Sequence, residues 1–159
     1  IRDAVDAASA NTSTTIEWQA CFLLNDGSVV GLDGSSYPEF KETIYENAFV
    51  VIWHRNHLGV MSATALERTA GVYPYDFSSA ITQAYGSGQK HLGGGIYGLF
   101  GGDGDASRTV DATDKTSFWS IIAGTTGYFA GDYSLNGQIS NQDKNDVWEG
   151  NQGESDMVP

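Results

Sequence analysis

The chain has one cysteine, three prolines and only eight lysines and arginines in 159 residues. Each scarcity excludes something. A lone Cys21 forms no intrachain disulfide, and its place inside an alternating apolar run predicts a buried, inert thiol. Eight bases against 20 acids give a net charge of −12. No basic face appears that could hold phosphate, so nucleic acid is a poor partner and is not expected, and an anionic membrane surface is excluded by the same argument. No apolar run reaches the roughly 18 residues that a bilayer span needs, so membrane insertion is not expected. The long heptad tracts of a coiled coil are missing. Charged residues are 18% of the chain, against about 25% on average, yet 19 aromatic residues argue against disorder. No initiator Met or leader opens the sequence, and Ile1-Arg2-Asp3 predicts a portion of a longer product.

Glycine is what the chain has in excess: 20 residues, nearly twice the usual share of about 7%. With so many aromatics and so few charges, this predicts short strands and tight turns. Ile16, Trp18, Ala20, Phe22 and Leu24 alternate, which predicts a half-buried strand over 15–24. Asn25-Asp26-Gly27-Ser28 is a hairpin turn signal, Val29-Val30 begins the return, and Asp33-Gly34-Ser35 ends it. Residues 39–45 alternate weakly. Ala48 to Trp53 is continuously apolar and predicts a central strand buried on both faces, with Leu58 to Met61 following. Tyr73, Tyr75, Phe77 and Tyr85 are expected to cover one end. The expected fold is mostly β: a small antiparallel β-sandwich over 1–90 followed by a second module over 91–159, in one compact unit.

That second part repeats itself. Gly98-Leu-Phe-Gly-Gly-Asp103 recurs as Gly127-Tyr-Phe-Ala-Gly-Asp132, Asp114-Lys115 as Asp143-Lys144, Trp119 as Trp148, and Gly124 as Gly153. Every pair is 29 residues apart, and eight of the 27 positions from 98 to 124 are identical at that offset, which marks a duplication.

Each copy holds a twelve-residue acidic loop. In loop 1, Asp103, Asp105, Ser107, Thr109, Asp111 and Asp114 occupy positions 1, 3, 5, 7, 9 and 12. In loop 2, Asp132, Ser134, Asn136, Gln138, Ser140 and Asp143 take the same places. This is the ligand spacing of an EF-hand-type Ca²⁺ loop, whose ion takes six to eight oxygens at about 2.3–2.6 Å. Two ions are therefore expected, one per loop. Val110 and Ile139, both at position 8, are expected to pair the loops across a short β-bridge. Loop 2 has Gly137 at position 6, where the chain turns with positive φ, whereas loop 1 has Arg108 at a cost of about 1 kcal/mol. Loop 1 offers four Asp against two in loop 2. A short helical pattern follows each loop, over Lys115–Ile122 and Lys144–Trp148, and glycine-rich chain precedes it.

Loop followed by helix, without an entering helix, resembles the dockerin family of calcium-binding modules over residues 98–148, with a departure at Arg108. The resemblance implies a pseudo-symmetric pair that binds a partner protein. The phrases Asn25-Asp-Gly-Ser-Val-Val-Gly-Leu-Asp-Gly34, His54-Arg-Asn-His-Leu-Gly-Val-Met-Ser-Ala63, Tyr75-Asp-Phe77 and Asp143-Lys-Asn-Asp-Val-Trp148 resemble a C-terminal region of large secreted, haemagglutinin-like bacterial proteins. That likeness spans about residues 20–159 and implies an extracellular, non-catalytic module.

Other signals carry less. His54-Arg55-Asn56-His57 shows no third ligand or acid partner, and its two histidines converge only if a turn lies between them. Hydrogen bonding at a strand end is the preferred reading. No nucleophile-elbow, zinc-protease or phosphate-loop motif is present. Trp119 and Trp148, at equivalent places in the repeat, are expected as core anchors under the loops rather than sugar platforms. The function expected is calcium-dependent attachment or assembly at the cell surface through another polypeptide. A glycan-binding adhesin, a filament subunit and a fragment of a secreted hydrolase are the rivals. The polar termini, Arg2–Ser13 and Ser155–Pro159, are expected to lie against another chain.

Overall fold

A computed structural model describes all residues, 1–159. It is mostly β and irregular, with few helices, and its strands pair two by two and antiparallel. β1 (Arg2–Ala4) pairs with β4 (Asn47–Phe49), and β2 (Phe22–Leu23) with β3 (Val29–Val30). β5 (Val51–His54) pairs with β6 (His57–Met61), and β7 (Lys90–Gly93) with β8 (Ile96–Gly98). The expected two-sheet sandwich does not form; four two-stranded ribbons stand in its place.

The 15–24 expectation is corrected in the same way. Only Phe22–Leu23 is strand, and Trp18 is 83% exposed. Residues 18–46 form an exposed arm in which Val30 alone is buried and Leu23 reaches the cleft lined by His54 and His57, so alternation there met no core to face. Cys21 on this arm is half-buried rather than buried, and that burial pushes its thiol up. The hairpin signal holds: Gly27 has φ +87° and the Ser28 N–H donates to Asp26 Oδ1 at 2.9 Å. Residues 39–45 form no strand; the Lys41 and Glu42 N–H groups donate instead to the Glu17 carboxylate. The run 48–53 is split at Val50 into β4 and β5, and Trp53 is 54% exposed with its ring laid on Gly59. Gly59 is required there, since a Cβ would come within 2.2 Å of the indole. Tyr75 serves the next segment: its hydroxyl donates to Gln83 O at 2.6 Å and accepts from the Ala63 N–H at 3.1 Å.

Two small apolar cores hold the chain. Ala4, Ala10, Phe49, Met61 and Val158 form the first, so it joins the N-terminus, the β4–β6 region and the C-terminus. Arg2 reinforces this by donating to Ala10 O at 2.6 Å and to Pro159 O at 3.0 Å. Both termini are thus docked on their own chain. Leu58, Val110, Tyr133 and Trp148 form the second core. Leu58 belongs to β6, and the Leu58 N–H donates to Phe100 O while the Gly102 N–H donates to Asn56 O. Contacts therefore cross residue 90 freely, and the repeated part is seated on the β5–β6 ribbon.

Candidate metal centre

The two repeats are built by exchange. The Trp148 Nε1–H donates to the carbonyl of Asp111, position 9 of loop 1, at 2.8 Å. The Trp119 Nε1–H donates to the carbonyl of Ser140, position 9 of loop 2, also at 2.8 Å. Lys115 lies 4.8 Å from the Trp148 ring centroid and Lys144 lies 5.6 Å from that of Trp119. Each loop is thus held by the tryptophan of the other repeat. The helices that carry them, Asp114–Trp119 and Asp143–Trp148, are single π-helical turns, closed by Ser120 N–H to Lys115 O and Glu149 N–H to Lys144 O.

Position 8 corrects the expected bridge between loops. Val110 and Ile139 are fully buried but do not pair with each other. Ile139 exchanges backbone hydrogen bonds with Gly124 and Thr125, and Val110 with Gly153 and Glu154. The tail after each helix therefore pairs with the other repeat's loop. Gly124 (φ +90°) and Gly153 (φ +93°) recur because both tails turn in the left-handed region.

Inside each loop the first and last Asp accept hydrogen bonds from the loop's own backbone. Asp103 accepts from the N–H groups of Ser107 (2.9 Å) and Arg108 (3.1 Å), and Asp132 from those of Asn136 (3.1 Å) and Gly137 (3.0 Å). Asp114 accepts from Gly104 and Asp111 N–H groups at 2.7 Å, and Asp143 from Ser134 at 2.8 Å and Ser140 at 2.7 Å. All four carboxylates are buried. The remaining predicted ligands sit as follows. Asp105 is half-buried beside Asp103 and Asp114. Ser107 is exposed, its hydroxyl on Thr109 O, and Thr109 Oγ1 turns to Ser155. Asp111 is exposed and accepts from the Thr113 N–H. Asn136 and Gln138 are exposed, and the Asn136 amide accepts from the Gln138 N–H and donates to Gln142. Ser140 Oγ accepts from the Gln142 N–H.

Loop 1 brings Asp103, Asp105 and Asp114 close enough to hold one metal ion, with ligand atoms all within 4.8 Å of one another. Burial pushes the Asp114 carboxyl up to about 6, with the Asp105 charge adding to it. Burial also raises Asp103. Carboxylates crowded and desolvated in this way favour a bound cation or a proton. In loop 2, Ser134 Oγ at position 3 is buried with no hydrogen-bond partner, an orphan oxygen that a metal ion would satisfy. The oxygen-only donor set of both loops fits a hard divalent cation.

Three participants were missed in the sequence. Tyr133 is fully buried and its hydroxyl donates to Asp114 O at 2.8 Å, so loop 2 props the end of loop 1. Asn56 is fully buried, and its amide donates to Ala130 O (3.0 Å) and Asp132 O (2.7 Å). Arg55 lies 3.6 Å from Asp132. The only signal for the last two was the polar string 54–57, whose histidines drew the attention. Those histidines face each other across the turn, with Nδ1 atoms 3.2 Å apart. Because the Asn56 amide nitrogen is donating, its oxygen accepts from His57 Nδ1 at 2.8 Å. Burial, then the His54 and Arg55 charges, hold His57 down to about 3, so it is neutral at physiological pH.

His54 and His57 also line a cleft of about 500 Å³ with His91, Tyr133, Ser134 and Asp146. Their imidazole hydrogen-bond contacts are with each other and with Asn56; neither Asp146 nor Ser134 hydrogen-bonds them. No helix is long and apolar enough to cross a membrane. Comparison of the chain with protein-family models, curated proteins and solved structures finds no match to any of them.

Proposed function

We propose that this chain is a non-catalytic, extracellular attachment module whose fold is held by two structural Ca²⁺ ions, one in each loop. The reciprocal exchange of tryptophans between the loops carries the reading. Each loop depends on a donor from the other repeat, so filling either one stiffens both, which is what a structural ion does in a small domain. The dockerin-like order of loop and helix, the crowded carboxylates of loop 1 and the orphan Ser134 oxygen support the same ion. Attachment to another polypeptide is supported by the arm 18–46, which keeps Trp18, Phe22, Leu24, Leu32 and Tyr45 exposed. A glycan is the second reading, favoured by the exposed Tyr37 beside Gln19, Asp33 and Glu39 in an open cleft of about 350 Å³.

Calorimetric titration of chelator-treated protein with Ca²⁺ tests the ion. Two ions at saturation and a higher melting temperature with calcium than with EDTA are expected. No uptake, with identical melting in both buffers, overturns the reading.

A further inference from the structure

The rest of the fold treats the two loops differently. In loop 1 the arginine within the loop, Arg108, turns away from it: Nε and Nη2 donate to the Asp156 carboxylate at 2.8 and 2.6 Å, and Nη2 also to Val158 O. In loop 2 a guanidinium is aimed at the first ligand. Arg55 Nη2 lies 3.6 Å from Asp132 Oδ2, with the two side chains only 20% and 4% exposed. Its position is fixed twice. The guanidinium carbon lies over the Tyr128 ring, 3.6 Å from its centroid. The turn that carries it is tied by Asn56 to the carbonyls of Ala130 and Asp132, on either side of the loop entrance. Arg55 Nε is buried and unpartnered, as is Ser134 Oγ two residues beyond Asp132.

We propose that Arg55 sets the calcium affinity of loop 2, acting as a resident cation that competes for Asp132 and leaves loop 2 the weaker, reversible site beside a tighter loop 1. This rests on the calcium reading above. Loop 2 has two carboxylates, Asp132 and Asp143, and one positive charge already stands on them; loop 1 has four and none. A divalent ion in loop 2 meets a repulsive neighbour that Tyr128 keeps from swinging away. Arg55 lies between His54 and His57, so filling loop 2 pushes on the β5–β6 turn and on the cleft that those histidines line.

The test is Ca²⁺ titration of the whole chain by calorimetry. The variants are Arg55→Met, which keeps an apolar stem on Tyr128, Arg55→Lys, which keeps the charge, and Tyr128→Ala, which frees the guanidinium from an exposed ring. An Asp103→Asn background assigns the sites by removing loop 1. The wild type should show unequal sites, the weaker surviving in Asp103→Asn. Arg55→Met should tighten that site about tenfold, Tyr128→Ala should tighten it less, and Arg55→Lys should leave it weak. A wild type with one measurable site that gains a second in Arg55→Met gives the same support. An unchanged or weakened loop 2 in both Arg55→Met and Tyr128→Ala overturns the proposal, since the guanidinium would then be bracing Asp132. One site in every variant overturns it too. No calcium in any protein overturns the calcium reading along with it, and so separates the two failures.

Discussion

Replacing each repeat's tryptophan by phenylalanine separates exchange from ordinary core anchoring. Trp148→Phe removes the donor to Asp111 O, a bond of 2.8 Å in a nearly closed setting, since Trp148 is 5% exposed. Losing that hydrogen bond costs about 1 kcal/mol, and the space left by the second ring about 1–2 kcal/mol more. The expected loss for Trp148→Phe is about 2–3 kcal/mol. Trp119 is half-buried, so Trp119→Phe should cost about 1–2 kcal/mol. The distinctive outcome is where the damage falls. In amide-correlation spectra of labelled protein, Trp119→Phe should move the signals of 132–143 and Trp148→Phe those of 103–114. Calcium binding should weaken at the same remote loop. Perturbations confined to each tryptophan's own repeat would refute the exchange.

Other perturbations test other contacts. Gly131→Ala should destabilise by at least about 2 kcal/mol in urea unfolding, because a Cβ there lands 2.4 Å from the Phe118 carbonyl, where no side chain can yield; a change under about 0.5 kcal/mol would mean that loop 2 does not pack on that helix end. Arg108→Gly relieves a non-glycine φ of +76° but frees Asp156 and Val158, so faster hydrogen exchange over 154–159 is expected, and unaltered exchange there would show that the clamp is idle. Asn56→Ala strands two carbonyls at the entrance of loop 2 and should cost about 2–3 kcal/mol, measured against Asn56→Asp, which keeps the shape. With chelator present, Asp114 titrates at about 6 folded, against its ordinary 3.8. The Asp114 contribution to metal-free stability is therefore greatest below pH 4 and falls by about 1–2 kcal/mol as pH rises through 6, after allowance for screening at the open side of the loop. Saturating calcium keeps Asp114 ionised and reverses that slope; in EDTA the melting temperature of the wild type relative to Asp114→Asn should fall as pH rises, and a difference that grows with pH would show the sign to be wrong.

How much was legible depended on whether a signal was local. The Asn25–Ser28 turn needs only four residues and a glycine with positive φ, so it was read correctly. The twelve-residue loops are local in the same sense: their carboxylates accept from backbone N–H groups four, five, ten and three residues away within the loop. The sandwich was not legible because alternation reports a strand's pattern, not its partner. Trp18, Ala20 and Phe22 alternate along an exposed arm, and the continuous run 48–53 breaks at Val50 so that β4 can pair with β1 and β5 with β6. Arg55 and Asn56 were obscured because their partners lie over 70 residues away, at Ala130 and Asp132.

The repeat's mismatches carry as much information as its identities. Position 2 is Gly104 in one loop and Tyr133 in the other, an apparent loss of symmetry. In space they are complementary: a Cβ on Gly104 would come within 2.9 Å of the Tyr133 hydroxyl, so one copy gave up a side chain where the other inserts one. Position 6 is Arg108 against Gly137, and both adopt the same left-handed turn, at φ +76° and +80°. Arg108 tolerates it because its side chain is engaged elsewhere, on Asp156 of the C-terminal tail. Where the copies agree, at the flanking Asp, Trp and Gly, they build the same loop twice. Where they differ, each has been fitted to a neighbour: Tyr133 to the other loop, Arg108 to the tail. Asp132 is the exception, identical to Asp103 in sequence yet alone in facing a guanidinium, and the source of that difference lies in β5–β6 rather than in the repeat.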